Sequence, residues 1–127
     1  MKKVVVAIQS TLVREAVIGA LKKRGFFAEK SLSQLPDKVA MACDVFFADV
    51  LLMDVGRTSE NSFDRRMETV QRAVKKNPFL KTGLLCDNVS DPDVAYKVKT
   101  AKEEGSVDVF FYESVKTDYM TDVLDAL

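Results

Sequence analysis

Three carboxylates punctuate one apolar run, Asp44-Val-Phe-Phe-Ala-Asp49-Val-Leu-Leu-Met-Asp54, and the chain's most chemically suggestive residues lie there. An apolar run bounded by turn signals reads as a strand buried on both faces of a parallel sheet. A carboxylate in such a run is costly unless the strand ends there and the group faces a wet crevice. In open α/β sheets, that crevice outside the carboxyl ends of the strands is where sites are built. This reading buries residues 45–48 and sets Asp49 at the carboxyl edge of the central strand. Asp49, Asp54 and Asp87, the last beside Cys86, are weak metal-ligand candidates together, although Asp87 better suits a loop-capping role.

Other reactive groups are few. The chain has no histidine and two cysteines, and Cys43 and Cys86 fit no metal spacing. One precedes a strand and the other ends one, which puts them on opposite rims of a parallel sheet, roughly 15–20 Å apart at about 3.3 Å per residue and too far for a disulfide. Cys86 shows no positive neighbour that would lower its pKa, so it reads as a small buried hydrophobe.

The elements that must position these groups alternate along the chain. Residues 3–8 form a first apolar strand. Ser10 or Thr11 caps a helix with Val13, Val17, Ala20 and Leu21 on one stripe, closed by Gly25. Phe26–Leu32 is an edge-type strand carrying Glu29 and Lys30, and Pro36 opens a short helix through Val39, Ala40 and Met41. After the strand around Asp49 comes a polar loop from Gly56 to Ser62. Ser62 caps a helix with Phe63, Met67, Val70 and Val74 on one face. Leu80–Cys86 is a fourth strand, Asp91-Pro92 starts a helix that Gly105 ends, Val107–Tyr112 is a fifth strand and Thr117–Leu127 a last helix. Five β-α units with short connections predict a doubly wound, five-stranded parallel sheet with helices on both faces, of flavodoxin-like type, in one domain spanning 1–127.

Composition excludes several function classes. With 127 residues, 47% of them hydrophobic, the chain can bury one sizeable core. Nineteen basic residues balance nineteen acidic ones, which gives no bulk attraction for nucleic acid or an anionic membrane. No apolar run reaches transmembrane length, and the start turns polar too soon for a signal peptide, so the expected compartment is the cytoplasm. The first βα loop, Gln9-Ser-Thr-Leu-Val-Arg14, has hydroxyls but no glycine, which disfavours a flavin or nucleotide-phosphate site. A cobalamin domain would use a histidine.

The order of elements, the length and three local strings resemble the receiver domain of two-component response regulators, over the whole chain. The run Asp44–Asp54 is similar to that family's third strand, Asn77–Cys86 to its fourth with the approach, and Gly105–Tyr112 to its fifth. The resemblance implies a strand order of 2-1-3-4-5 and sets Asp49 on the phosphoacceptor aspartate. It also sets Ile8 and Gln9 where receivers carry two metal-binding acids, Cys86 on their hydroxyl residue, Tyr112 on their lysine and Val109 on their aromatic switch residue. Isoleucine offers a hard cation nothing, and glutamine only a neutral carbonyl. Phosphoryl transfer depends on positioned positive charge, and the pocket read this way presents no obvious cation.

The expectation is therefore a degenerate, pseudo-receiver variant: not an enzyme, with no cofactor, acting as a protein-interaction module in two-component or phosphorelay signalling. Its partner surface is expected on the face made by the fourth helix, fifth strand and fifth helix, with neither nucleic acid nor membrane as partner and a homodimer left open. Two alternatives stand beside it. One is an atypical phosphoacceptor using Asp49, for which alone magnesium would be needed; the other is a small-ligand sensor at the strand-end crevice.

Overall fold

Runs of β-branched and aliphatic residues alternate with helical stripes, and each run becomes one strand of a central parallel sheet. The computed structural model describes residues 2–127. Its elements are β1 (Lys3–Ala7), α1 (Thr11–Arg24), β2 (Phe27–Lys30), α2 (Pro36–Phe46), β3 (Val50–Val55), α3 (Phe63–Lys76), β4 (Lys81–Cys86), α4 (Pro92–Glu103), β5 (Val109–Tyr112) and α5 (Thr117–Asp125). All strand pairs are parallel and the order is β2-β1-β3-β4-β5, as the alternation predicts. The order reverses between β1 and β3, so the loops leaving those two strands diverge and open a crevice at the carboxyl rim.

Successive strand residues point to opposite faces, which divides the interior into two layers. Val5, Ala7, Leu51, Met53 and Leu84 pack under α2, α3 and α4. Val4, Val6, Val50, Leu52 and Leu85 pack under α1 and α5. Both faces of β3 are covered, and every residue of Val50–Val55 is buried. Local signals fix the helix ends. Ser10 and Ser62 accept from the backbone N–H groups of Val13 and Arg65, and Gly25 closes α1 in the left-handed region at φ 100°.

One expected boundary is wrong, and it moves the site. The helix opened by Pro36 does not stop near Met41 but runs to Phe46, so Asp44-Val-Phe belongs to α2 and Val45 is exposed rather than buried. The strand starts only at Val50. A short apolar run cannot be told from a helix by hydrophobicity alone, and the glycine that would mark the helix end is missing. Phe47 takes that role instead, in the left-handed conformation at φ 57°, with its N–H donating to the Asp44 carbonyl.

A non-glycine residue held there costs roughly 1–2 kcal/mol, and the Phe47 side chain is largely solvent-exposed. Phe47→Gly is expected to stabilise the fold by about 0.5–1 kcal/mol. Urea denaturation at low protein concentration checks it.

Candidate functional site

The carboxyl rim gathers the residues that follow β1, the last residues of β3 and the ends of β4 and β5. Val55 pairs with Cys86, and Cys86 with Tyr112, while Ala7 pairs with Met53 just before Asp54. Ile8, Gln9, Cys86 and Tyr112 therefore share one rim. Asp49 does not join them. It precedes β3 at the amino rim, about 16 Å away at roughly 3.3 Å per residue, and its Oδ2 accepts from the Lys3 backbone N–H at 2.8 Å. The carboxylate at the carboxyl edge of the central strand is Asp54. The placement of Asp49 is thus corrected by five residues, the consequence of α2 extending to Phe46.

Asp54 is buried and held on both oxygens. Its Oδ1 accepts from the Gln9 backbone N–H at 3.2 Å and from the Arg66 guanidinium at 2.7 Å; its Oδ2 accepts from the Asn61 amide at 3.2 Å. Arg66 rises from the first turn of α3 and is completely enclosed. Its Nε donates to the Asp54 carbonyl at 2.8 Å, and one terminal nitrogen also reaches the Ala7 carbonyl at 2.9 Å and Gln34 Oε1 at 2.7 Å. One side chain thus binds the end of β1, the end of β3 and the β2–α2 loop. The other terminal nitrogen is buried without a partner. Burial lowers the Arg66 pKa, and the Asp54 charge opposes that shift. The crevice, expected to lack a cation, contains one.

The surrounding loop is built to keep Asn61 in place. Asn61 Oδ1 accepts from the Thr58 N–H at 3.0 Å, and the Thr58 hydroxyl lies 2.8 Å from Gln9 Oε1. Gly56 makes room for this arrangement, since a Cβ on it would stand 2.8 Å from the Asn61 amide nitrogen. Arg57 forks across to Asp91 and Asp93, tying the same loop to the start of α4. Asp87 has the loop-capping role, accepting from the Val89 and Ser90 N–H groups at 2.9 and 3.0 Å, and those bonds lower its pKa. Glu113, next to Tyr112, has its pKa raised by burial and then by repulsion from Asp87, Asp54 and Asp91. Both thiols are free and buried. Desolvation pushes Cys43 up to about 12 and Cys86 up to about 11, so neither is a thiolate nucleophile at neutral pH.

The donor set does not fit a hard divalent cation. Ile8 is fully buried in the core under α1 and α5, the Gln9 side chain is engaged by Thr58, and both Asp54 oxygens already accept hydrogen bonds. Magnesium wants near-octahedral oxygen ligation with several waters. Here a guanidinium occupies the electrostatic role instead. Tyr112, half-buried, stacks edge-on against Phe110 with centroids 5.5 Å apart and contributes no charge.

Arg66, Asn61 and Gly56 are the residues that reading the sequence missed. A signal for Arg66 was present: it falls on the apolar stripe of α3, three residues after Phe63 and four before Val70, where a solvated arginine has no place. Asn61 and Gly56 look like ordinary loop residues.

No protein-family model matches the chain, and no curated protein does. Solved structures do. A response regulator from Thermotoga maritima is 18% identical with a TM-score of 0.73, covering 99% of this chain and 96% of that one. The chemotaxis protein CheY4 of Vibrio cholerae is 15% identical with a TM-score of 0.75, covering 99% and 98%. NtrX from Brucella abortus, 15% identical with a TM-score of 0.77, is matched over 99% of this chain but only 27% of its own length. The fold is that of response regulator receiver domains, the flavodoxin-like type.

Two outcomes follow from this geometry. Arg66→Met is expected to destabilise by about 3–5 kcal/mol, because it strands a buried carboxylate. Adding Asp54→Asn is expected to recover a large part of that loss, read as a coupling energy in a double-mutant denaturation cycle. For Glu113, the raised pKa means the folded state holds this proton more tightly than the unfolded chain. Its contribution to stability is present at low pH and lost as pH rises through the raised value. Glu113→Gln should accordingly raise Tm at pH 7, with the gain shrinking as pH falls through the carboxylate range.

Proposed function

We propose that this chain is a receiver-fold signalling module that works by binding a protein partner and does not carry out metal-dependent phosphotransfer. The observation that carries the reading is the fully buried Arg66, bonded to Asp54 Oδ1 at 2.7 Å while Gln9 and Asn61 hold the rest of the carboxylate. A phosphoryl group adds about −1.5 to −2 charge. To attack phosphorus, Asp54 must free an oxygen from these donors, and the transition state still lacks the metal that offsets charge on the equatorial oxygens. Neither Cys86 nor Tyr112 supplies that charge.

The partner surface in this reading is the α4-β5-α5 face. A groove of about 440 Å³ lies there, with Phe110, Tyr112 and Tyr119 among its walls and Lys102 at its side. Tyrosine is among the residue types that dominate interface energetics, and Tyr119 is exposed here. Arg57 links the site loop to the start of α4 through Asp91 and Asp93.

The test is intact-protein mass spectrometry after incubation with acetyl phosphate or phosphoramidate and magnesium. No mass gain is expected on the wild type. A stoichiometric gain that disappears in Asp54→Ala would overturn the reading; Asp49→Ala serves as a second control at the opposite rim. Capture of a partner from the source cell is expected to be lost in Tyr119→Ala and unchanged in Asp49→Ala.

A further inference from the structure

A different face of the molecule is left uncovered. Six of the large exposed hydrophobic side chains, Phe27, Leu32, Leu35, Met41, Val45 and Phe47, belong to β2, α2 and the segments flanking them. Leu32 is 93% exposed, Phe47 77% and Val45 72%. Leu32, Met41 and Val45 share one stripe, and Leu35 adjoins Leu32 in the next groove. A groove of about 510 Å³ runs between α2 and the edge strand, from Leu32 past Met41 and Val45 to Phe46. Beyond Phe46, the Lys3 ammonium lies 5.9 Å from its ring centroid and 5.6 Å from that of Phe47, which carries the stripe to the amino rim. Lys3 pairs with Phe27 in the sheet.

At these exposures the six side chains present on the order of 600–800 Å² of largely apolar surface, against about 800 Å² per partner in a standard interface. Patches on monomers seldom exceed a few hundred Å². The expected burial of Val45 fails for the same reason: the outward side of α2 carries Lys38, Met41 and Val45 at helical spacing, while Val39, Ala40 and Cys43 face the core.

We infer that a second copy of this chain covers the stripe, in a two-fold dimer packed through α2. Three observations favour this occupant. A two-fold axis buries the same patch on both copies at once, so roughly 600–800 Å² on each side approaches the size of a standard interface. The rim carries both signs of charge, with Glu29, Lys30, Lys38 and Asp44 free of any ion pair within the chain among the described residues. Such a rim can pair with itself. The net charge is zero, so two copies meet without long-range repulsion. Contact is through side chains of α2 and not by joining sheets, because Glu29 and Lys30 stand on the short edge strand and discourage strand addition.

Sedimentation velocity of the full chain, loaded from about 5 to about 500 µM to bracket micromolar affinity, tests this. The wild type is expected to dimerise within that range. Leu32→Glu and Val45→Glu alter exposed positions and should keep the circular dichroism of the wild type, and its Tm at concentrations where both are monomeric. Each is expected to raise Kd at least about 30-fold, the effect of losing one strong interface residue. Tyr119→Glu, on the α4-β5-α5 face, should leave Kd unchanged. A chain that stays monomeric at the top concentration overturns the inference, as does a dimer indifferent to Leu32→Glu and Val45→Glu. So does a dimer dissociated by Tyr119→Glu. None of these outcomes bears on whether Asp54 accepts a phosphoryl group.

Discussion

A buried arginine is costly unless its donors find partners, and Arg66 places Nε and one terminal nitrogen against three separate segments. Taking a guanidinium and a carboxylate out of water costs several kcal/mol per ion, which their attraction offsets only with good geometry and further hydrogen bonds. Here the Asp54 and Ala7 carbonyls, the Asp54 carboxylate and Gln34 provide them. The ends of β1 and β3 and the start of α3 are therefore fixed together at the point where the strand order reverses. That point is where an open α/β sheet normally keeps a ligand cavity, and this molecule has filled it with its own charges.

The rest of the carboxyl rim adjusts to that ion pair. Gly56 lacks a side chain so that Asn61 can approach Asp54, and Thr58 links Asn61 to Gln9. Arg57 then extends the same loop to α4 through Asp91 and Asp93. Around the crevice, Asp87 is engaged in its own turn, Glu113 is repelled by its acidic neighbours, and the Arg14 guanidinium donates to the Ile8 carbonyl at 3.3 Å. Arg66, the fully buried cation of the crevice, is already paired with Asp54. Two grooves stay open away from the crevice, an aromatic one beside Tyr112 and Tyr119 and an apolar one along α2.

Much of the fold was legible because its signals are local or strongly periodic. The Ser10 and Ser62 caps, the Gly25 terminus, the Asp91-Pro92 start and the apolar strands all act within one or two turns of chain. The exception is instructive. Val45 and Phe46 are as apolar as strand residues, and no glycine marks the end of α2, so helix and strand were indistinguishable over Asp44–Phe47 until packing decided between them. That ambiguity carried the site from Asp54 to Asp49. A shift of five residues along one strand moves a carboxylate from one rim of a sheet to the other.

The alternation of apolar runs with amphipathic stripes determined the doubly wound sheet by itself, because a parallel strand buried on both faces needs a helix on either side of it. The residue types at Ile8, Gln9, Cys86 and Tyr112 likewise gave the expectation that those positions offer a hard cation no carboxylate. Tertiary structure alone decided which aspartate they surround and what neutralises it. Arg66 and Asp54 lie twelve residues apart, and Gln34 and Ala7 come from other units altogether. The apolar stripe of α3 marks Arg66 as enclosed, but its partners leave no periodic trace in the sequence, since they depend on where α3 crosses the sheet.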